Sequence, residues 1–101
     1  MDDVSKRRIV KPNYTQVPNA ILDEMMVEMS ESELRVVIAV CRKTFGWQKT
    51  IDKISLSQIE KLTGLSRQAV INGIKQATKR GIVEREQRGQ SFAYQIAVFE
   101  D

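Results

Sequence analysis

Between Ser66 and Arg80 the chain carries Gln68, Asn72, Lys75 and Lys79 and not a single acid. On a helix turning about 100° per residue, with Val70 as origin, Ile74 and Ala77 lie within roughly 40° of it, and those four polar residues lie within roughly 40° of the opposite direction. An outward face of amide, amide, amine and amine suits a nucleic acid. Gln and Asn pair bidentately with adenine, and Lys reaches guanine edges or phosphates. Ser66 is placed to cap this helix, whose unpaired N–H groups suit a phosphate. Arg67 computes to the apolar side, but first-turn side chains splay, and it is expected to reach the DNA backbone or a base edge. A helix whose polar face simply meets water would look similar residue by residue. The lack of acids, and the unit in which the helix sits, favour DNA contact.

Other chemistry has little to work with. The chain has no histidine and one cysteine, Cys41, which removes zinc sites, Cys–His nucleophiles, imidazole acid–base steps and internal disulfides together. The five glycines are scattered, so no phosphate-cradling loop is present. No enzymatic activity, metal or cofactor is expected, and Cys41 reads as a small core residue. At 101 residues, 42% apolar and 29% charged, the chain is long enough for one hydrophobic core. No apolar run approaches the ~20 residues of a bilayer span. The charged start (Asp2, Asp3, Lys6, Arg7, Arg8) has no apolar stretch behind it, so no secretory signal is read there. Cytoplasmic residence is the expectation.

Net charge is only +3, but it is unevenly spread. Pro18 to Leu34 holds five acids (Asp23, Glu24, Glu28, Glu31, Glu33) and no base, while Lys61 to Gln90 holds seven bases against Glu84 and Glu86. A basic patch confined to one part of a domain is the footprint of a polyanion partner.

The elements that must position these residues follow from pattern. Residues 1–16 read as a flexible basic N-terminal arm, with Lys6, Arg7, Arg8 and Lys11 as a tail or a minor-groove arm. Residues 17–99 read as the folded domain. A first helix should start near Pro18, with Ile21, Leu22, Met25 and Met29 inward. Met25, Met26 and Met29, with Val27, offer more apolar surface than one stripe needs, which makes Met25, Met26 and Met29 a candidate dimer interface. Ser30 and Glu33 form a capping box for a second helix. Its stripe is Leu34, Val37, Ile38, Cys41 and Phe45, and Gly46 ends it. Phe45-Gly46-Trp47 should pin that end to the core. Lys53-Ile54-Ser55 fits one edge strand. Ser55 and Gln58 box a third helix through Leu56, Ile59 and Leu62, stopped by Thr63-Gly64-Leu65. Ser66 opens the fourth, with Val70, Ile71, Ile74, Ala77 and Thr78 inward and Gly81 closing it. A hairpin follows, from Ile82 to Glu86, over Arg88-Gly89-Gln90-Ser91, and back through Phe92, Tyr94, Ile96 and Val98.

Two short helices meeting at a Gly turn, with a hairpin directly after, give the winged helix-turn-helix. The fold class is therefore α+β, mostly α, with four helices and a C-terminal β-hairpin wing. Arg85, Arg88 and Gln90 on the wing fit phosphate or minor-groove contact, or a solvated hairpin tip. The expected partner is double-stranded DNA.

The stretches Tyr14-Thr15-Gln16-Val17-Pro18-Asn19-Ala20, Glu33-Leu34-Arg35-Val36-Val37, Arg42-Lys43-Thr44-Phe45-Gly46-Trp47, Asp52-Lys53-Ile54-Ser55-Leu56 and Thr63-Gly64-Leu65-Ser66-Arg67 resemble the N-terminal domain of the phage replication protein O family, the lambda-type origin-binding initiators. The Arg-Lys-Thr-Phe-Gly-Trp run is specific, whereas Gly-Leu-Ser-Arg is common to many winged-helix proteins. The resemblance implies binding to repeated sites in a phage or prophage origin, commonly as a homodimer, so that replication can initiate. It also implies that a C-terminal half recruits the host helicase or its loader. This chain stops at Asp101, just after the last strand, so helicase recruitment is expected outside it, as for an excised domain. Two other readings share the scaffold: a winged-helix transcriptional regulator, and a protein-interaction winged helix of a primosome, suggested by the acidic first helix.

Overall fold

The computed structural model describes residues 13–98. Three serines open its α-helices. Ser30 Oγ accepts from the Glu33 N–H at the head of α1 (Glu31–Lys43). Ser55 Oγ accepts from the Gln58 N–H, and the Gln58 side chain accepts from the Ser55 N–H, a complete capping box for α2 (Leu56–Thr63). Ser66 Oγ accepts from the Ala69 N–H at the start of α3 (Arg67–Arg80). Gly64 and Gly81 take φ of 77° and 82° and close α2 and α3 in the left-handed conformation that glycine adopts without strain. Three strands, β1 (Asp52–Lys53), β2 (Val83–Arg88) and β3 (Ser91–Ile96), form an antiparallel sheet in the order β1-β3-β2. With an irregular helix ahead of α1, this is the four-helix, hairpin-winged arrangement expected.

The core is one cluster in which α1 lies centrally. Val36, Val37, Val40 and Cys41 are fully buried against Ile59 of α2, Val70 and Ala77 of α3, and Val83 and Tyr94 of the sheet. Burial pushes the Cys41 thiol up to about 11, so at neutral pH it is a packed, protonated group. α3 approaches the backbone of α1 closely at Gly73. A Cβ there would stand 2.7 Å from the Ser32 carbonyl oxygen and 2.8 Å from Val36 Cγ2.

A second tie joins the same two helices. Glu33, fully buried, receives Arg80 Nε at 2.7 Å and Nη2 at 3.0 Å, and the same guanidinium also donates to Glu28. These hydrogen bonds to Glu33 hold the Arg80 guanidinium above its ordinary pKa. They also correct one expectation: the box at Ser30 is only half made, because Arg80 takes the carboxylate that would have turned back to the Ser30 N–H.

Other departures have local causes. The first helix is not a regular α-helix but a π-turn (Ile21–Met25) running into a 3₁₀ turn (Met26–Glu28). The wider turn carries Leu22 off the buried side; Ile21 is buried, and Met25 and Met29 pack partly against the core. On α1 the buried side centres on Val36 and Val40, roughly 100° round from the expected stripe, leaving Ile38 exposed and Leu34 half-buried. An unbroken apolar run from Val36 to Cys41 cannot select its own face by period. Gly73 selects it by letting α3 close on Ser32 and Val36. α1 ends at Lys43, and the left-handed residue beyond it is Gln48, not Gly46. Gly46 is small for another reason: a Cβ there would meet Arg42 Nη1 and Thr15 Oγ1 at 2.8 Å. Phe45 packs on the core, but Trp47 is 61% exposed, with the Arg42 guanidinium 5.3 Å from its ring centroid. Leu62 is also exposed and lines a shallow groove with Ile38 between α1 and α2. The edge strand is Asp52–Lys53, starting one residue and ending two residues earlier than the expected Lys53-Ile54-Ser55. The hairpin strands run longer than expected on one side, turning over Gly89 and Gln90 alone, and Val98 lies exposed beyond β3. Lys6, Arg7, Arg8 and Lys11 lie outside the described residues. Thr15 is already half-buried, so packing begins before residue 17.

Two stability outcomes follow. Gly73→Ala gains about 1 kcal/mol of helix propensity but forces a methyl into a main-chain carbonyl that cannot rotate away, a cost at the upper end of ~1–3 kcal/mol, so thermal melting should show a net loss of about 1–2 kcal/mol. Arg80→Ala leaves a buried carboxylate unpaired and should lower Tm more than the double replacement Glu33→Met with Arg80→Met, which removes both charges. Equal losses would show that the pair's charge is not what holds these helices.

Candidate nucleic-acid interface

The outward face of α3 is built by what the inward face must do. Val70, Gly73, Ile74 and Ala77 are consumed by packing on α1 and the sheet. The helix period then leaves Gln68, Asn72, Lys75 and Lys79 in solvent, all four exposed. Gln68 Nε2 donates to Asn72 Oδ1 at 3.1 Å, so the two amides stand as a pair one turn apart. Gln68 Oε1 and the Asn72 amide N–H groups take no part in that hydrogen bond. Lys75 and Lys79 have no acidic partner among the described residues. Ile71, expected inward, is half-buried at the border of the two faces, and Thr78 Oγ1 donates back to the Ile74 carbonyl at 2.8 Å.

Ser66 and Arg67 are already engaged. The Ser66 hydroxyl caps α3, while the first-turn N–H groups beyond it keep no helical partner. Arg67, read as reaching outward, is instead folded back on α2. Its Nε donates to Glu60 Oε2 at 2.8 Å and its Nη2 to Ser57 Oγ at 3.0 Å. That bridge spans the Gly64 turn between the two helices. An exposed ion pair of this kind is worth only ~0–1 kcal/mol, so a phosphate could draw the guanidinium away.

The wing divides its cations between two sides. Gly89, at φ 64°, starts a two-residue turn whose sign pattern is that of type II′, the geometry that matches strand twist. Strand alternation then puts Arg85 on the side of Phe92 and Tyr94, and its guanidinium sits 4.5 Å from the Phe92 ring centroid. Arg88 falls on the other side and pairs with Glu86 at 3.4 Å.

Between α3, the wing and the β1–α2 corner runs a groove of about 550 Å³. Lys75, Arg67, Arg85 and Gln90 from the expected site line it, and Lys53, Ser57, Gln58 and Phe92 join them. Ser66, Gln68, Asn72, Lys79 and Arg88 lie outside it. The sequence reading missed the β1–α2 contribution, because nothing local to Lys53 says that β1 will pair with β3 beside the wing. Of the candidate dimer residues, Met25 and Met29 are partly spent on this chain's own core; Met26, with Leu22 and Val27, is exposed.

Among the described residues no cluster of three or more His, Cys, Asp or Glu side chains could hold a metal ion. No helix among them is long and apolar enough to cross a membrane.

The chain is similar to known phage replication proteins. The chain is 39% identical over 54 residues to the DNA replication protein gp18 of Salmonella phage P22, covering 52% of this chain and 20% of that protein. It is 32% identical over 53 residues to replication protein O of Escherichia phage lambda, covering 52% and 16%. It is 32% identical over 77 residues to replication protein 15 of Enterobacteria phage phi80, covering 75% and 26%. The matched stretch is thus a quarter or less of most of these relatives' length. Residues 8–100 match the family described as bacteriophage replication protein O, and the chain belongs to that family.

Proposed function

We propose that this domain binds duplex DNA in a sequence-specific way at repeats of a phage or prophage replication origin, as a non-catalytic step in initiating replication in the host cytoplasm. The observation that carries the reading is the solvent-facing side of α3, where Gln68, Asn72, Lys75 and Lys79 stand together with no acid among them. In this reading α3 lies in the major groove, its amide pair meets adenine edges, and Lys75 meets a guanine edge or phosphate. Lys79, near the helix end, serves the phosphate backbone, and so do Arg85 and Arg88 from the wing. The relatives named as replication proteins support the replication context over a purely transcriptional one. Two copies on adjacent repeats would meet through Met26, with Leu22 and Val27 beside it.

The mechanism separates two kinds of residue by measurement. Asn72→Ala should narrow the gap between target and mismatched duplex by about 1–3 kcal/mol, and should also release Gln68 from its partner. Lys79→Ala should weaken all duplexes alike and flatten the salt dependence by about one unit, from a starting log–log slope near −4 to −5 for ~4–6 phosphate contacts. Filter binding of both variants across a salt series checks this. Sequence-blind effects from both substitutions would mean that the reading face is elsewhere.

A further inference from the structure

The groove between α3 and the wing differs in character from the outer face of α3. Its rim carries Lys53, Arg67, Lys75 and Arg85, and no acid contributes to its lining. Its least exposed lining is apolar, with buried Ile54 and Ile74 and half-buried Ile71 and Phe92. The Arg85 guanidinium over Phe92, at 4.5 Å, is a flat cationic plate backed by an aromatic ring. A volume of about 550 Å³ falls in the ~300–1,000 Å³ range of sites that enclose a small ligand.

The backbone of a duplex would satisfy the rim cations but leave the apolar lining and the plate unmatched, because paired bases show only their edges. An unpaired base offers a π-face to stack on the guanidinium, while the phosphates on either side meet the lysines. We propose that this groove is a second nucleic-acid site that holds single-stranded DNA, with one base against Arg85 and Phe92 and flanking phosphates on Lys53 and Lys75. It extends the duplex reading, sharing Lys75 and Arg85 with it, but needs neither Gln68 nor Asn72.

The test is fluorescence anisotropy of the whole chain with a short labelled oligothymidylate, which forms no duplex, and in parallel with a duplex target, at low salt. Phe92→Leu keeps an apolar side chain on the sheet but removes the ring that backs the Arg85 guanidinium, and should weaken oligothymidylate binding by at least about fivefold, the effect of disrupting a stacking platform worth about 1–3 kcal/mol per base. Lys53→Gln should weaken it several-fold, and both should leave duplex affinity within about twofold. Asn72→Ala should do the reverse. If melting shows Phe92→Leu unfolded, Lys53→Gln decides alone. No oligothymidylate binding, or binding that neither variant alters, overturns the proposal; so does an equal loss on duplex, which would assign the groove to a paired backbone. Loss of duplex binding alone would count against the proposed function and leave this site standing.

Discussion

Gly73 allows α3 to lie on α1 with main chain against main chain, and the orientation of everything outward follows from that contact. A helix can present one face only if the opposite one is held, and here it is held by the absence of a side chain facing Ser32 and Val36. Val70, Ile74 and Ala77 fill the space on either side. The Arg80–Glu33 pair then fixes the far end of the same crossing, with Glu33 fully buried. Rotating α3 by one residue, about 100°, would turn Asn72 toward the core and lift Ile74 or Ala77 into water. Packing and the presentation of polar groups are therefore one constraint.

The same crossing divides the basic residues by role. Arg80 is occupied in structure, tied to Glu33 and Glu28 across about fifty residues of chain. Arg67 braces the turn between α2 and α3, and Arg88 answers Glu86 on the wing. Lys75 and Lys79 stand without acidic partners among the described residues, and Arg85 lies on a ring in place of a carboxylate. A sum of formal charge would count all six alike. Only the unpaired ones contribute their field to an approaching polyanion at full strength.

Much of this was legible in the sequence wherever the signal is local. Ser55 with Gln58, and Ser66 with the glycine after Arg80, bound α2 and α3 to the residue, because caps are decided within a few positions. The polar side of α3 was legible because that helix has a single apolar stripe. On α1 the pattern was silent, since a continuous apolar run offers no period, and the buried side is chosen by Gly73, some forty residues away. The irregular helix before α1 was likewise hidden: Ile21, Met25 and Met29 do pack inward, but periodicity does not distinguish a π-turn from an α-turn. The groove was least legible of all. Its walls come from β1, α2, α3 and the hairpin, and their meeting depends on β1 pairing with β3 across about forty residues of chain.

The central claim, that α3 offers its amide side to the major groove, is open to a direct probe. Cys41 is buried with its thiol pushed up to about 11, so a cysteine introduced on the surface can be labelled selectively. A chelated iron attached at Lys75→Cys should cut a bound target duplex at positions whose offset between strands marks the major groove, while the same reagent at Leu62→Cys should leave the duplex uncut. Minor-groove offsets from Lys75→Cys, or stronger cutting from Leu62→Cys, would contradict the account.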